Sequence, residues 1–86
     1  MAAESHVDGN ALGGLLIEAF GREMTSARER CAACGSIREL GALLAYTRAP
    51  GDVLRCPDCG SVLLVAVRIG DRIRLSAQAV TWLETS

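Results

Sequence analysis

Two short cysteine pairs constrain this chain more than any other feature. Cys31-Ala32-Ala33-Cys34-Gly35 and Cys56-Pro57-Asp58-Cys59-Gly60 share the pattern C-x-x-C-G and hold all four cysteines. Two intervening residues let the backbone turn so that both sulfurs of a pair reach one ion. Residues 35–55 separate the pairs, close to the roughly 15–20 residues common in four-cysteine zinc sites. A glycine after the second cysteine tolerates the left-handed backbone that closes such a knuckle. Pro57 presets φ at the second knuckle, and backbone N–H groups within the loops can soften the charge of the sulfurs. Two such loops at hairpin ends give four thiolates in a tetrahedron, about 2.3 Å from zinc. The expected metal ligands are therefore Cys31, Cys34, Cys56 and Cys59.

A staple of this kind answers a need set by size. A chain of 86 residues makes one domain, 1–86, and buries only about 60% of its unfolded surface, so burial and chain entropy nearly cancel. Structural zinc adds on the order of 10–16 kcal/mol in small zinc peptides. A four-thiolate site leaves no coordination position for water or substrate, so the plainest reading is a site that stabilises and does not catalyse. Iron is the alternative metal.

Charge and composition narrow the function classes. Ten acidic residues face nine arginines and no lysine, for a net charge of −1, which supplies no long-range field for a polyanion. Nucleic acid is thus not an expected partner by this criterion, and the aromatics, 3% of the chain, offer few stacking platforms. The longest apolar run, Val62 to Val67, is far short of the roughly 20 residues that span a bilayer. The opening residues show no basic segment of a secretory signal. The expected compartment is a reducing cytoplasm, where paired cysteines signal metal or redox chemistry more than disulfides. No small-molecule substrate site is evident: the serines lack a readable base partner, the carboxylates are scattered, and His6, the single histidine, is expected in solvent rather than on a metal. Thiol exchange through C-x-x-C calls for a helix N-terminus, and hairpin turns surround these pairs instead. Half the residues are apolar and mean hydropathy is +0.26, so a domain this small is expected to present apolar surface to a protein partner or to a second copy of itself.

Along the chain, residues 1–7 read as a flexible leader and 8–21 as an amphipathic helix. Leu12, Leu15, Leu16, Ala19 and Phe20 fall on one stripe. Asp8 or Asn10 can cap its start and Gly21 its end. Gly13 and Gly14 lower its propensity and allow a later start. The period then changes to two, and 24–83 reads as a ribbon sheet with knuckles at 31–35 and 56–60. Strands are expected at Met24–Arg30, Leu40–Thr47, Val53–Cys56, Val62–Ile69 and Arg72–Leu75, with turns at Arg48–Asp52 and Gly70-Asp71. Both faces of the 62–69 strand are apolar, which predicts a strand that is central in its sheet or covered on both sides. Ser76 to Leu83 fits either a helical turn or a last strand, with Trp82 and Leu83 docked on the sheet. Arg30 and Arg55 each precede a knuckle, where they can offset thiolate charge or simply face solvent. Arg68, Arg72 and Arg74 gather at the Gly70 turn, as a small basic patch or a solvated hairpin end. The fold class is α+β: a small antiparallel sheet with two C-x-x-C knuckles and an N-terminal helix.

Three resemblances attach to these residues. Paired knuckles on hairpins resemble the zinc-ribbon fold group. Cys56-Pro57-Asp58-Cys59-Gly60 also resembles rubredoxins, which hold one iron for electron transfer under several packed aromatics; Phe20, Tyr46 and Trp82 are too few and too dispersed for that role. More narrowly, nearly the whole chain resembles a family of short, uncharacterised actinobacterial proteins classified as a domain of unknown function. The matching segments are Asp8-Gly9-Asn10-Ala11, Gly14-Leu15, both knuckles, Tyr46, Ala49-Pro50-Gly51, Leu54-Arg55, Val62-Leu63 and Trp82-Leu83-Glu84. That resemblance implies zinc at the four cysteines, a soluble bacterial protein, no assigned activity, and an accessory role beside a redox enzyme. The expected function is a non-catalytic zinc-binding interaction or accessory module, with an iron electron carrier and a nucleic-acid-binding ribbon as alternatives.

Overall fold

Eight short strands and one helix divide into two antiparallel sheets, in a computed structural model that describes residues 6–48 and 51–85. The elements run β1 (Val7–Asp8), a 3-10 turn (Gly9–Leu12), α1 (Gly13–Phe20), β2 (Arg28–Cys31) and β3 (Ile37–Glu39). A second 3-10 turn (Leu40–Ala42) leads to β4 (Leu44–Arg48), β5 (Gly51–Arg55), β6 (Val62–Ile69), β7 (Arg72–Ala77) and β8 (Val80–Glu84). The larger sheet has the order β1-β4-β5-β6-β7 and the smaller β3-β2-β8.

The α+β class with an N-terminal helix and antiparallel strands follows the sequence, while several boundaries differ. The segment expected as one helix over 8–21 is a 3-10 turn followed by α1, which starts at Gly13. Asp8 caps the 3-10 turn by accepting the Asn10 backbone N–H at 3.1 Å. α1 ends where the Gly21 N–H reaches the Ile17 carbonyl at 2.7 Å. Val7, assigned by sequence to a flexible leader, pairs with Ala45 in the larger sheet; residues 1–5 lie outside the described residues. The strand expected over 24–30 begins at Arg28, because Met24–Ala27 turns: Glu23 accepts bonds from Thr25 and Ser26, and the Ala27 N–H bonds the Met24 carbonyl. The strand expected over 40–47 splits into a 3-10 turn and β4, since β3 has already returned alongside β2. Ala49 and Pro50 of the turn expected over 48–52 lie outside the described residues. The ambiguous tail resolves as β8, which pairs with β2 from Arg28↔Glu84 to Cys31↔Val80.

The core lies between the two sheets and under α1. Leu16, Leu40, Leu43 and Leu63 are fully enclosed, with Ala45, Leu54 and Leu64 lining the sheet beneath the helix. The helical stripe therefore serves the fold: Leu12 and Leu16 are core, and only Ile17 and Phe20 emerge, at 48% and 37% exposure. Most of the stripe is thus spent on the interior and is not free for a partner. Arg68 of β6 donates two hydrogen bonds to Glu18, at 2.8 and 3.0 Å, tying α1 to the sheet. β6 sits between β5 and β7, as its apolar run predicts, but it is covered on one face only. Leu64 and Ala66 are buried toward the core while Val65 and Val67 are half-buried on the other side and Ile69 is exposed. The strand's central position in the sheet accounts for its hydrophobicity better than cover on both sides.

Candidate metal centre

Each knuckle closes a hairpin, and the two hairpins belong to different sheets. The 31–34 loop joins β2 to β3, and the 56–59 loop joins β5 to β6. Their backbones are near copies. The Gly35 N–H bonds the Cys31 carbonyl and the Gly60 N–H bonds the Cys56 carbonyl, both at 2.8 Å. The Cys31 N–H reaches the Ser36 carbonyl and the Cys56 N–H the Ser61 carbonyl, both at 2.9 Å. Gly35 and Gly60 take φ of +82° and +80°, a left-handed conformation that a Cβ makes costly. The repeated unit is thus C-x-x-C-G-S, with the serine as much a part of it as the glycine.

All four sulfurs converge, and each lies within 4.8 Å of every other. The short approaches run across the knuckles: Cys31 to Cys59 at 3.7 Å and Cys34 to Cys56 at 3.6 Å. A tetrahedron with metal–sulfur bonds of about 2.3 Å has edges of about 3.8 Å, so the spacing is what four thiolates around one divalent ion require. Zinc and iron both fit this donor set. Cys31 and Cys56 are enclosed while Cys34 and Cys59 are exposed, so the site lies at the rim of the core with one cysteine of each pair turned outward. Because the pairs come from different sheets, a bound ion joins the sheets as well as closing the loops.

The surroundings lower the cost of holding several negative sulfurs together. Ser36 Oγ lies 3.5 Å from Cys34 Sγ, and Ser61 Oγ lies 3.3 Å from Cys59 Sγ. Donation from these hydroxyls, with the backbone N–H groups of the same serines, holds Cys34 and Cys59 below the usual thiol range. Cys31 behaves oppositely in the free thiol form. The Cys34 N–H favours its thiolate, but burial and thiol contacts with Cys59 and Cys34 outweigh this and push it up to about 11. An ion has to displace that proton, so loading is coupled to proton release.

Positive charge reaches the sulfurs from an arginine that the sequence does not single out. Arg38 of β3 makes two 2.8 Å hydrogen bonds to Asp58 in the opposite knuckle. That pair raises the Arg38 pKa, and the charges of Cys56 and Cys34 add to the effect; Asp58 is correspondingly lowered, by Arg38 first and then by Ser36. Of the two arginines next to the knuckles, Arg55 donates to the Gly60 carbonyl at 2.9 Å and lies over the Tyr46 ring, while Arg30 is exposed beside Gly35. Arg55 thus braces the second loop, and Arg38 is the arginine whose charge couples to the sulfurs. His6, expected off the metal, lies against Tyr46 with ring centroids 5.7 Å apart and the planes tilted by 49°, and is not among the converging ligands. The signal for Ser36 and Ser61 was present in the repeated C-x-x-C-G-S. The Arg38–Asp58 pair spans 20 positions and has no local signature.

A group on the same inward side of β2 as Cys31 contrasts with this provision. Glu29 of β2 is 1% exposed, and neither carboxylate oxygen has a hydrogen-bond partner among the described residues. Burial raises its pKa, against the field of Arg38. Arg38 stands directly opposite in the β2–β3 register, but its guanidinium is already committed to Asp58.

No helix among the described residues is long and apolar enough to cross a membrane. No curated protein and no solved structure matches the chain. Residues 3–86 match a family of unknown function (DUF6510), and with virtually the whole length matched, the chain belongs to that family: a small domain of two antiparallel sheets whose four cysteines are able to hold a metal ion.

Proposed function

We propose that this protein is a non-catalytic zinc-ribbon module whose Cys₄ zinc fixes two hairpins and whose remaining surface serves a protein partner. The observation that carries the reading is the convergence of Cys31, Cys34, Cys56 and Cys59 at tetrahedral spacing from two separate sheets. Four thiolates fill the coordination of zinc, so the metal supplies structure: it holds the β2–β3 and β5–β6 hairpins in fixed relation. Arg38, Ser36 and Ser61 stabilise the negative sulfurs, and Gly35 and Gly60 shape the loops. Such a role suits a cytoplasmic accessory protein, including one that attends a redox enzyme, with a second copy of the chain as the simplest partner.

Iron in the same four thiolates would make an electron carrier. The aromatic side chains argue against it: Tyr46 is engaged by His6 and Arg55 on the outer face of the larger sheet, Phe20 emerges from α1, and Trp82, paired with Arg30 across β8 and β2, is a single ring where several packed aromatics are expected. The test of the module reading is sedimentation of the zinc-loaded protein beside its native purification from cells. A self-associated species or a stoichiometric companion protein is expected. A strictly monomeric profile with no retained protein counts against it.

A further inference from the structure

We infer that the uncovered face of the larger sheet is a docking surface for an acidic protein segment that carries aliphatic side chains; this deepens the module reading above and rests on it. The register sets the face. Tyr46, Val53, Val65 and Ser76 lie in one row across β4 to β7, Gly51, Val67 and Arg74 in the next, and Ile69 and Arg72 at the hairpin end. The opposite face carries Ala45, Leu54, Leu64 and Ala66 into the core. An antiparallel sheet with one solvated face is expected to alternate polar residues outward. Here Tyr46, Val53, Val65 and Val67 form a half-buried apolar band that ends at Ile69, 48% exposed, which is the character of an interaction patch.

The unpaired charges along the strands of this face are basic among the described residues, with the carboxylate of Asp71 beside them in the turn. Arg55 lies over Tyr46, and Arg72 and Arg74 line a hollow with Ile69 and Ile73 at the hairpin end. None of the three is in an ion pair among the described residues; the pairs are Arg28–Glu84, Arg38–Asp58 and Arg68–Glu18, all elsewhere. Asp8, which the register places beside Leu44 at the far edge, is held by the Asn10 N–H. Asp52 belongs to the helix side, in register with Ala66 and acting on Arg68. Asp71, in the turn itself, has no ion pair among the described residues either. An occupant complementary to this face brings carboxylates to Arg72, Arg74 and Arg55 and aliphatic groups to the valine band. Nucleic acid fits less well, because the only aromatic ring of the band, Tyr46, already carries His6 and Arg55 and is not a free stacking platform.

The test uses the full, zinc-loaded chain and three probes: a ten-residue peptide alternating Glu and Val, its Lys–Val counterpart, and octathymidylate. Amide shifts are followed by heteronuclear NMR. The Glu–Val peptide is expected to move the amides of Tyr46, Val53, Val65 and Arg72–Arg74, and the Lys–Val peptide to move none of them. Arg72→Glu with Arg74→Glu, both exposed and remote from the metal, is expected to keep zinc content and spectrum and to weaken Glu–Val binding at least tenfold. Shifts confined to α1 or the smaller sheet, equal binding by the double variant, or tighter binding of octathymidylate would each overturn the proposal. A companion protein that co-purifies equally with wild type and double variant would overturn this surface while leaving the module reading intact.

Discussion

Replacing Glu29 with methionine should make this protein more stable, which is unusual for a change at a site 1% exposed. The side chain lies on the inward side of β2, with Cys31 two positions on, and both its oxygens lack a hydrogen bond. A buried polar group without a partner costs about 1–3 kcal/mol, and more when charged. Exchanging a buried ionic group for an apolar one of similar volume commonly recovers on the order of 1–4 kcal/mol. Methionine has nearly the volume of glutamate and adapts to irregular space, so a gain of about 1–3 kcal/mol at pH 7 is expected. For a domain of this size that is at least ~4 °C in Tm. Glu29→Gln, which removes the charge but keeps an unsatisfied amide, should fall between. The pH dependence has a definite sign. The folded pKa is raised above 4.5 by burial. The charge therefore costs nothing below the unfolded value of 4.5, costs progressively more as pH rises to the folded value, and imposes its full cost above it, on top of the pH-independent cost of the unpaired polar group. The advantage of Glu29→Met should accordingly shrink as pH falls toward that of the unfolded carboxyl. Thermal unfolding followed by circular dichroism at fixed free zinc, at pH 7 and at the lowest pH where both proteins keep their metal, reads this directly. If both variants are less stable than wild type at pH 7, the carboxylate has a stabilising partner and the reasoning fails.

Cys56→Ser should lose stoichiometric zinc and cooperative unfolding, because the metal contribution of ~10–16 kcal/mol exceeds what an 86-residue domain holds in reserve; a cooperative, metal-free transition would show that the cysteines are not the staple. Leu16→Ala should cost about 2–5 kcal/mol in denaturant unfolding, since the side chain is 1% exposed beneath α1. Its neighbour Ile17→Ala, at 48% exposure, should stay within about 0.5 kcal/mol, and equal losses would contradict the placement of the helix. His6→Ala should leave zinc content unchanged, and a fall in bound metal would show that the ligand set is wrong.

What could be read from the sequence follows the range of the interactions involved. The four cysteines and the glycines behind them are local motifs, and their convergence required only that two hairpins meet. β6 was readable to its ends because an apolar run bounded by Gly60-Ser61 and Gly70-Asp71 has few alternatives. Boundaries near β2 and β4 were not, because Glu23 turns Met24–Ala27 through side-chain bonds and the Leu40–Ala42 turn packs against the one at Gly9–Leu12. The division into two sheets was likewise hidden. It depends on β8 leaving β7 at Gln78-Ala79 and crossing to β2, where Ala79 accepts from the Ala32 N–H at 2.9 Å, a contact between distant segments. At the site, adjacency in sequence points to Arg30 and Arg55, whereas the arginine coupled to the sulfurs is Arg38, reached through strand pairing rather than sequence. Glu29 was unreadable for the same reason: an Arg-Glu-Arg run suggests a solvated strand, and only the β2–β3 and β2–β8 registers reveal which of the three turns inward.

The central claim is a four-thiolate zinc that joins the two sheets, and the most direct test is metal content. Elemental mass spectrometry on protein purified without added metal, together with its visible spectrum, should give one zinc per chain and no colour. One iron per chain with a thiolate charge-transfer band, or a cooperatively folded chain with no metal, would contradict it.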